Sequence, residues 1–556
     1  MHSNPPAPLA AIAAALVFTA CCAMAAAQEA RIGHWPLDDD ANGAGPHGLT
    51  TIAADLQFAD SQADAGVRRG AYFNGSTSLL RVPHSSELAL GTGDFTVSAW
   101  VKVDAELADV PGDVLSKFDQ QTRTGFVLSI VNNFAAMTGP SNVRQVQFGI
   151  DQGRIDDAWA DCGRPGEAVI PYGLVVHDGQ LYTGTCEAGA DRTGHVYRYL
   201  GDRDWEDCGA PDGSNTVSAL ASWRGELYAG TSRYRLRGSA LPDSENQTPG
   251  GAVFRYAGGD EWVACGQLGE GDATSCLVVY RGRLYASTTY HPGVYRYEGG
   301  TTWTPIGTPQ GRRVEAMTVF EGALFGGAYD GGEVYRYTPE SGWDIVGELP
   351  DTTQTYGFAI FGDRLYVSTW PSATVFRYEG PGDWTPCGRL GEEREVMGMA
   401  VYNGSLYAGT LPLAHVYRYE GESQWTSTGA LDLTPDVRYR RAWSMAVFQG
   451  RLYCGVLPSG HVRSLQAGRV ASYDHALSPG WHHLAGARRG GELELFVDGQ
   501  LAARSDSFNA DEFNLKNDTP LLIGAGPSGH FQGFIRDVRL HGRALSRTDI
   551  EGLAGR

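Results

Sequence analysis

Side chains able to do chemistry recur at fixed distances from a repeated Leu-Tyr pair in the middle of the sequence. Nine residues before each pair (or its equivalent) the residue type varies, as Tyr172, Ser218, Ser275, Glu315, Tyr356, Met397 and Trp443. Two residues earlier again lie Ile170, Thr216, Ala273, Arg313, Gln354, Glu395 and Arg441. Variable positions on a repeated framework are typical of ligand-binding loops on a rigid scaffold.

The composition of these positions favours a hydroxyl-rich ligand. Aromatic rings can stack on the flat face of a sugar, while Arg and Gln form paired hydrogen bonds with its hydroxyls. We therefore predict a glycan-binding set. Its members are Tyr172, Tyr290, Arg313, Tyr329, Gln354, Tyr356, Trp370, Arg441 and Trp443. The alternative is ordinary loop variability, with the aromatic residues covering the repeats.

Catalysis is a second possibility at the same place. Glu315, Glu395 and Asp330 are candidates for the carboxylate pair that glycoside hydrolysis uses, although no motif marks them. The sequence has no G-x-S-x-G, P-loop or H-E-x-x-H motif. We expect no organic cofactor, and a non-catalytic role is the preferred interpretation.

The elements that position these residues belong to a repeat of about 40 residues between 157 and 464. Each unit has four short β-patterned segments and a tryptophan. The tryptophans are Trp159, Trp205, Trp262, Trp303, Trp343, Trp384 and Trp425. Such units are typical of propeller blades, so we predict seven. The repeat resembles the broad kelch and galactose-oxidase-type propellers.

The two flanks lack this repeat and carry a different set of phrases. Residues 28–156 contain "YFNG" and "FTVSAWVK"; residues 465–556 contain "WHHLA", "LELFVDG", "LLIGAG" and "FIRDVRLHGRALS". In this order they resemble the laminin-G-like, concanavalin A-like jelly roll. The resemblance implies one β-sandwich interrupted by about 310 residues of propeller. The predicted fold class is therefore all-β, with a propeller inserted between the strands of a jelly roll.

A run of acidic side chains near the start suggests a cation site. Asp39, Asp40 and Asn42 lie in a turn-forming stretch, and hard oxygen ligands of this kind suit Ca²⁺. The resemblance to the jelly-roll family implies a structural calcium here, with Asp537 as a further ligand. The alternative is a solvated acidic turn without an ion.

Charge and composition exclude several classes of protein. Lys plus Arg number 44 and Asp plus Glu number 64, which gives a net charge of −20. This charge repels a phosphate backbone, so nucleic acid is not an expected partner. The 74 glycines, with charged residues at 19%, favour short strands joined by tight turns over long helices or disorder.

The first 27 residues differ from the rest in composition. They are apolar and rich in alanine, and they end in Ala25-Ala26-Ala27, which has the small-x-small form of a secretory cleavage site. We predict an exported protein, secreted or held in the periplasm or at the cell surface, whose mature chain starts near Gln28. A retained membrane anchor and lipid attachment at Cys21 are the alternatives. No later stretch is apolar enough to cross a bilayer.

Together these features predict a secreted recognition protein that binds glycans or cell-surface polymers through the jelly roll, the propeller face or both. A secreted glycan-active enzyme of the glycoside hydrolase or lyase type, with its site on the propeller, is the first alternative. A scaffold that contacts other envelope proteins is the second. Paired carboxylates in a deep central pocket would favour the enzyme, and an aromatic face without paired acids would favour binding.

Overall fold

The computed structural model describes residues 31–43, 47–63, 66–103, 107, 109–132, 144–153, 156 and 158–555. The predicted export signal, residues 1–27, lies outside the described residues. The described chain is all-β, with one α-helix near its end. Within that part of the chain, no helix is long and apolar enough to span a bilayer.

The first flank contributes nine strands. They are β1 (Arg31–Trp35), β2 (Ile52–Ala54), β3 (Gln57–Ala63), β4 (Gly66–Asn74), β5 (Leu79–Val82), β6 (Phe95–Val103), β7 (Gly112–Asp119), β8 (Thr124–Val131) and β9 (Gln145–Gln152).

The repeat region contributes 28 shorter strands. They are β10 (Ala160–Asp161), β11 (Ile170–His177), β12 (Gln180–Cys186), β13 (Val196–Gly201), β14 (Asp204–Asp207), β15 (Thr216–Trp223), β16 (Glu226–Ser232), β17 (Ala252–Gly258), β18 (Glu261–Gln267), β19 (Thr274–Tyr280), β20 (Arg283–Thr288), β21 (Val294–Gly299), β22 (Thr302–Pro305), β23 (Val314–Phe320), β24 (Ala323–Ala328), β25 (Glu333–Thr338), β26 (Gly342–Glu348), β27 (Gln354–Phe361), β28 (Arg364–Trp370), β29 (Thr374–Gly380), β30 (Asp383–Arg389), β31 (Glu395–Tyr402), β32 (Ser405–Leu411), β33 (His415–Gly421), β34 (Gln424–Ala430), β35 (Arg441–Phe448), β36 (Arg451–Leu457) and β37 (Val462–Leu465).

The second flank contributes six strands and the helix. They are β38 (Arg469–Tyr473), β39 (His482–Arg489), β40 (Glu492–Val497), β41 (Gln500–Arg504), β42 (Leu521–Ile523), β43 (Gln532–His541) and α1 (Arg547–Leu553). Helix α1 begins with a capping box, in which the Ser546 side chain accepts from the Asp549 amide and the Asp549 side chain accepts from the Ser546 amide.

The two flanks form two shared antiparallel sheets. One has the order β3-β4-β43-β6-β39-β40-β41, with β1 paired to β43; the other has the order β2-β5-β42-β7-β8-β9-β38. In the first sheet β39 pairs with β6, and in the second β38 pairs with β9. Strands from both sides of the repeat region therefore complete both sheets. Their buried faces share one core that includes Trp35, Phe73, Phe95, Phe126 and Phe148.

The repeat region forms a β-propeller. Five four-stranded blades are separate sheets: β19–β22, β23–β26, β27–β30, β31–β34, and β35–β37 closed by β10. Strands β11–β18 form one eight-stranded sheet, which the Cys186–Thr216 pair joins between β12 and β15. The sheets thus show five separate blades rather than the seven predicted. The strand β10 that completes the last blade comes from the start of the region, so the propeller is closed by pairing its two ends.

The innermost strands form a closed ring. In order they are β11, β15, β19, β23, β27, β31 and β35, each contacts the next, and β35 contacts β11. Each is joined to its neighbour strand by a two-residue turn with both φ angles positive, for example Asn403-Gly404, which is the favoured geometry for a tight hairpin. These turns fix the register between each innermost strand and its neighbour. The variable residues therefore lie at the strand ends that are farthest from the turns.

The turn ends of the innermost strands face the sandwich. The Asn403 side-chain amide donates to the Ile150 carbonyl oxygen at 3.1 Å, and the Gln449 backbone N–H donates to Asp474 at 2.8 Å. Strand β31 runs eight residues from this end to Glu395, a span of about 23 Å. The variable residues therefore lie at the end of the propeller remote from the sandwich.

Candidate ligand-binding site at the propeller axis

The variable positions lie at the beginning of each innermost strand. Tyr172 is the third residue of β11, Glu315 the second of β23, and Trp443 the third of β35. Because the ring of strands is closed, residues at equivalent positions converge on the propeller axis. We call this convergent group of side chains the axial chamber. Tyr172 and Trp443 meet there with ring centroids 5.0 Å apart.

Aromatic side chains form much of the chamber wall. Tyr172 and Trp443 are 2% exposed and pack in one apolar cluster with Met397. Tyr356 and Trp370 pack against the same cluster and are half-buried. The structure therefore brings together four of the predicted ligand-binding aromatic residues.

Glu395 and Arg441 place opposite charges in the chamber. Arg441 Nη2 lies 3.7 Å from Glu395 Oε2, and both side chains are buried. Burial raises the pKa of Glu395 to about 7, against the opposing effect of the Arg441 guanidinium. The carboxyl group of Glu395 therefore changes protonation state close to neutral pH.

Glu315 is the second carboxyl group of the chamber. It is 2% exposed, and burial raises its pKa to about 8, with a further contribution from Glu395. Arg313 opposes this shift but is held mainly by Asp330, from which its Nε lies 2.8 Å away. Glu315 is thus protonated at neutral pH, and a protonated carboxyl group can donate a hydrogen bond.

The remaining predicted residues surround this pair. The Arg313 guanidinium lies 4.0 Å from the centroid of the Tyr329 ring, and the Tyr356 hydroxyl donates to Gln354. The Tyr290 hydroxyl accepts from the Arg235 backbone N–H at 3.0 Å. Asp330 is engaged by Arg313, so it does not form a free carboxylate pair with Glu315 or Glu395.

Four polar atoms in the chamber are buried and have no hydrogen-bond partner among the described residues. They are Glu315 Oε2, Glu395 Oε1, Arg441 Nε and Trp443 Nε1. Buried polar groups are nearly always satisfied, because an unmade hydrogen bond costs about 1–3 kcal/mol. A concentration of such atoms between aromatic rings is the arrangement expected where a polar ligand or ordered water completes the hydrogen bonds.

A segment that the sequence did not single out closes over this chamber. Arg441 Nη1 donates to Ser239 Oγ at 2.5 Å, and Arg441 Nη2 donates to the Gly238 carbonyl oxygen at 3.3 Å. The Tyr234 ring lies 5.3 Å from that of Tyr172, and Leu236 is buried in the same cluster. The signal available in the sequence was length alone, because the connection 233–251 between β16 and β17 is longer than its counterparts in the other repeats.

The predicted calcium ligands are placed differently. Asp537 Oδ1 lies 2.7 Å from His34 Nε2, and both of its oxygens accept from Arg539 at 2.9–3.0 Å. Burial alone would raise the pKa of Asp537, but the hydrogen bond to His34 and the Arg539 guanidinium outweigh it and lower the pKa to about 2. Its carboxylate is thus engaged by His34 and paired with the cationic Arg539.

The other proposed ligands are engaged separately. Asp39 accepts from Arg69, and Asp40 accepts from Asn42. Over the described residues, no group of three His, Cys, Asp or Glu side chains is arranged to hold a metal ion. These four residues as placed do not fit a calcium site, and the calcium ion itself stays a prediction.

Sequence comparison supports the sandwich. Residues 439–551 match the Laminin_G_3 family, described as the concanavalin A-like lectin/glucanases superfamily. The match covers β35–β43 and the first five residues of α1, so it includes three strands of the last propeller blade as well as the second flank. A concanavalin A-like domain in the second flank, predicted from its motifs, is confirmed, and it fits a binding or glycan-related role in broad terms.

Solved structures resemble the propeller only distantly. A catalytically inactive virginiamycin B lyase from Staphylococcus aureus with quinupristin has a TM-score of 0.45 and 13% identity, covering 56% of this chain and 99% of that one. YCF48 from Cyanidioschyzon merolae has a TM-score of 0.40 and 12% identity, covering 56% and 99%. At such scores the likenesses carry no inference about activity, and they give no support to the predicted kelch type. No curated protein matches the chain in sequence.

Proposed function

We propose that this chain is an exported, non-catalytic recognition protein whose axial chamber binds a polyhydroxylated ligand, a glycan or cell-surface polymer. The observation that carries the proposal is the set of four unpartnered polar atoms of Glu315, Glu395, Arg441 and Trp443 between aromatic rings. A sugar hydroxyl both donates and accepts, so one ligand can satisfy carboxyl oxygens and N–H groups together. The Tyr172 and Trp443 rings would contact its apolar faces.

The proposed architecture is a seven-bladed propeller inserted in a jelly roll. Two observations support counting the eight-stranded sheet β11–β18 as two blades. Its two halves are joined by a single residue pair, Cys186–Thr216, and the sheet contributes two innermost strands, β11 and β15, to the ring. Insertion is supported by the pairing of β38 with β9 and of β39 with β6. In this arrangement the sandwich covers one end of the propeller and leaves the chamber at the other.

Export and a role for the sandwich are part of the same proposal. Removal of residues 1–27 would yield a mature chain from Gln28. The concanavalin A-like match at 439–551 supports a second glycan-contacting surface on the sandwich. Partners among other envelope proteins are a further prediction.

A glycan array probed with the mature chain tests the proposal, followed by titration calorimetry with a bound glycan. We expect Glu395→Gln and Arg441→Met to weaken binding at least tenfold, because each removes a polar group of the chamber. Glu392→Gln, three residues earlier and exposed, is the matched control and should bind as the wild type does. If both chamber variants keep the wild-type affinity, the ligand does not bind in the axial chamber.

A glycan-active enzyme is the second candidate, and one observation favours it. Glu315 and Glu395 are both buried, and their pKa values are raised to about 8 and about 7. Glycoside hydrolysis requires one protonated and one ionised carboxyl group, and this combination exists between the two pKa values. Release of reducing ends from the array-positive glycan, lost in Glu315→Gln while binding persists, would support the enzyme. A wild-type chain that binds but never cleaves supports recognition.

A further inference from the structure

The segment between β16 and β17 is far longer than the strands require. Residues 233–251 make this connection 19 residues long. The equivalent connections of the other repeats have between three and nine residues. They are 187–195, 289–293, 329–332, 371–373, 412–414 and 458–461. The extra length folds over the propeller axis instead of extending away from it. We call residues 234–243 the cover tip and residues 244–248 the cover base.

The cover base is tied to neighbouring loops outside the chamber. The Asn246 side-chain amide donates to the Arg192 carbonyl oxygen at 2.7 Å and to the Gly213 carbonyl oxygen at 2.9 Å. The Ser244 hydroxyl donates to the Gly189 carbonyl oxygen at 3.2 Å. This half of the segment is therefore anchored independently of the chamber residues.

The cover tip is held by contacts with chamber residues and, at its first residue, by the Asn215 side chain. Asn215 accepts from the Tyr234 backbone N–H at 2.8 Å and donates to the Tyr234 carbonyl oxygen at 3.0 Å. Leu236 is buried in the aromatic cluster, Tyr234 packs edge-on against Tyr172, and Ser239 accepts from Arg441. Its outer side is exposed, and Arg237 pairs there with Asp243 within the tip, at 2.9 Å. The tip is thus a small internally bonded unit with one apolar anchor and a few polar contacts.

The cover tip contacts the same chamber side chains that a ligand would have to contact. Ser239 and Gly238 accept hydrogen bonds from the two terminal nitrogens of Arg441. The Tyr234 ring packs nearly perpendicular to the rings of Tyr172 and Trp443, with centroids 5.3 and 6.5 Å away. Trp443 and Glu395 are 2% and 1% exposed with the tip in this position. A sugar cannot reach them until the tip moves.

We propose that residues 234–243 are a hinged cover whose Ser239 and Gly238 bind Arg441 in place of the ligand. The cover must move away from the chamber, with the cover base as the fixed part, before a ligand enters. This inference rests on the proposed ligand-binding role of the chamber. If the open form is a minor fraction of the molecules, the apparent affinity is reduced by that fraction. Weakening the anchors of the tip should then raise both affinity and association rate.

Hydrogen–deuterium exchange on the full chain without any ligand tests the opening itself. Leu236→Ala removes the apolar anchor, and Ser239→Ala removes the bond to Arg441 with less disturbance of packing. We expect amides of 234–241 to exchange at least fivefold faster in both variants, with faster exchange also at 395–397 and 441–443. Glu245→Ala, an exposed change in the same segment, is the control and should exchange as the wild type does. Equal exchange rates in all four proteins would overturn the cover.

Sugar binding separates this inference from the proposed function. The probes are the methyl glycosides of glucose, galactose and mannose, followed by stopped-flow tryptophan fluorescence. We expect three- to tenfold tighter and faster binding to the two anchor variants than to Glu245→Ala. Binding of equal strength and rate to every variant contradicts the cover but leaves the sugar site intact. Faster exchange in the anchor variants without binding of any probe supports the cover and counts against sugars as the ligand.

Discussion

Two clusters of buried charge lie at opposite ends of the propeller, and they differ in how their charges are satisfied. At the sandwich end, Arg123 Nη2 lies 2.8 Å from Asp156 and its Nε 3.3 Å from Asp151, while Arg418 lies 2.6 Å from Asp156. Each charge there has an opposite charge in contact. At the other end, one oxygen of Glu315 and one of Glu395 have no hydrogen-bond partner among the residues that the structure describes, and Arg441 lies 3.7 Å from Glu395.

Under the proposed function, this difference separates a structural from a ligand-binding use of charged side chains. The Arg123 cluster joins the sandwich to the propeller, and its charges pair with one another, although Arg123 Nε has no hydrogen-bond partner among the described residues. Under the proposed function, the hydrogen-bonding capacity left on the chamber side chains is available to a ligand. Perturbed pKa values occur in both clusters, and for Asp151 burial raises the pKa to about 6. A shifted pKa alone therefore does not identify the functional end.

The largest expected effect comes from breaking the structural cluster. Arg123→Met would leave the buried Asp151 without its cationic partner, while the exposed Asp156 keeps Arg418. Removing one member of a buried ion pair costs about 3–5 kcal/mol. We expect this loss in the free energy of unfolding, measured by urea denaturation at pH 7. Arg224→Ala, at an exposed position in a propeller turn, is the control and should change stability little. A loss below 1 kcal/mol in Arg123→Met would mean that the cluster is not structural.

The second prediction concerns the dependence of stability on pH. Folding raises the pKa of Glu315 from 4.5 to about 8, so the folded state binds its proton more tightly than the unfolded state does. The resulting contribution to stability is complete below pH 4.5 and is lost as the pH rises to about 8. The loss amounts to up to about 5 kcal/mol. Glu315→Gln should flatten this part of the stability curve, measured by denaturation between pH 4.5 and 8.5.

The matched control for this curve is Glu392→Gln, which changes an exposed carboxyl group and should keep the wild-type slope. If Glu315→Gln also keeps it, Glu315 is not buried in solution.

The third prediction compares tryptophans at the two ends of the propeller. Trp370 ends β28 beside the chamber, and Trp223 ends β15 at the sandwich end; both are half-buried. Trp370→Ala should weaken glycan binding about tenfold, which corresponds to about 1.4 kcal/mol. Trp223→Ala should leave the affinity unchanged. Calorimetry with the same glycan measures both, and the reverse order of effects would move the binding surface to the sandwich end.

The smallest expected effect tests the calcium hypothesis. Asp537 is held by His34 and Arg539, so Asp537→Asn should cost about 1 kcal/mol. The low pKa of Asp537, about 2 against an ordinary 3.8, means that its contribution is present above pH 3.8 and lost as the pH falls toward 2. Melting temperatures of the wild type should be equal in calcium and in chelator. A higher value in calcium would show that the protein binds the ion in an arrangement other than the one these four residues adopt here.

Much of the fold was readable from the sequence because the repeat carries its own register. The Leu-Tyr pair follows a two-residue turn, so counting back nine residues placed Tyr172, Tyr356 and Trp443 at the beginning of innermost strands. The all-β class and the concanavalin A-like second flank followed from motifs. The blade count differs, since the structure shows five separate four-stranded blades where the sequence predicts seven, and β11–β18 form one eight-stranded sheet.

The candidate site was less predictable. Leu236 and Ser239 lie in an insertion without periodicity, and their path over the axis depends on packing with Tyr172 and Trp443. The raised pKa values of Glu315 and Glu395 depend on burial, which no spacing reveals. His34 and Asp537 are 503 residues apart and meet only through the pairing of β1 with β43. Arg539, two residues after Asp537, was the feature of the sequence from which a cationic partner for this carboxylate could have been inferred.

Titration calorimetry of an array-positive glycan against the wild type, Glu395→Gln and Glu392→Gln tests the central claim most directly. If the axial chamber binds the ligand, Glu395→Gln loses at least tenfold in affinity and Glu392→Gln loses none. Equal affinity in all three proteins would contradict the account and leave the sandwich as the surface that binds glycan.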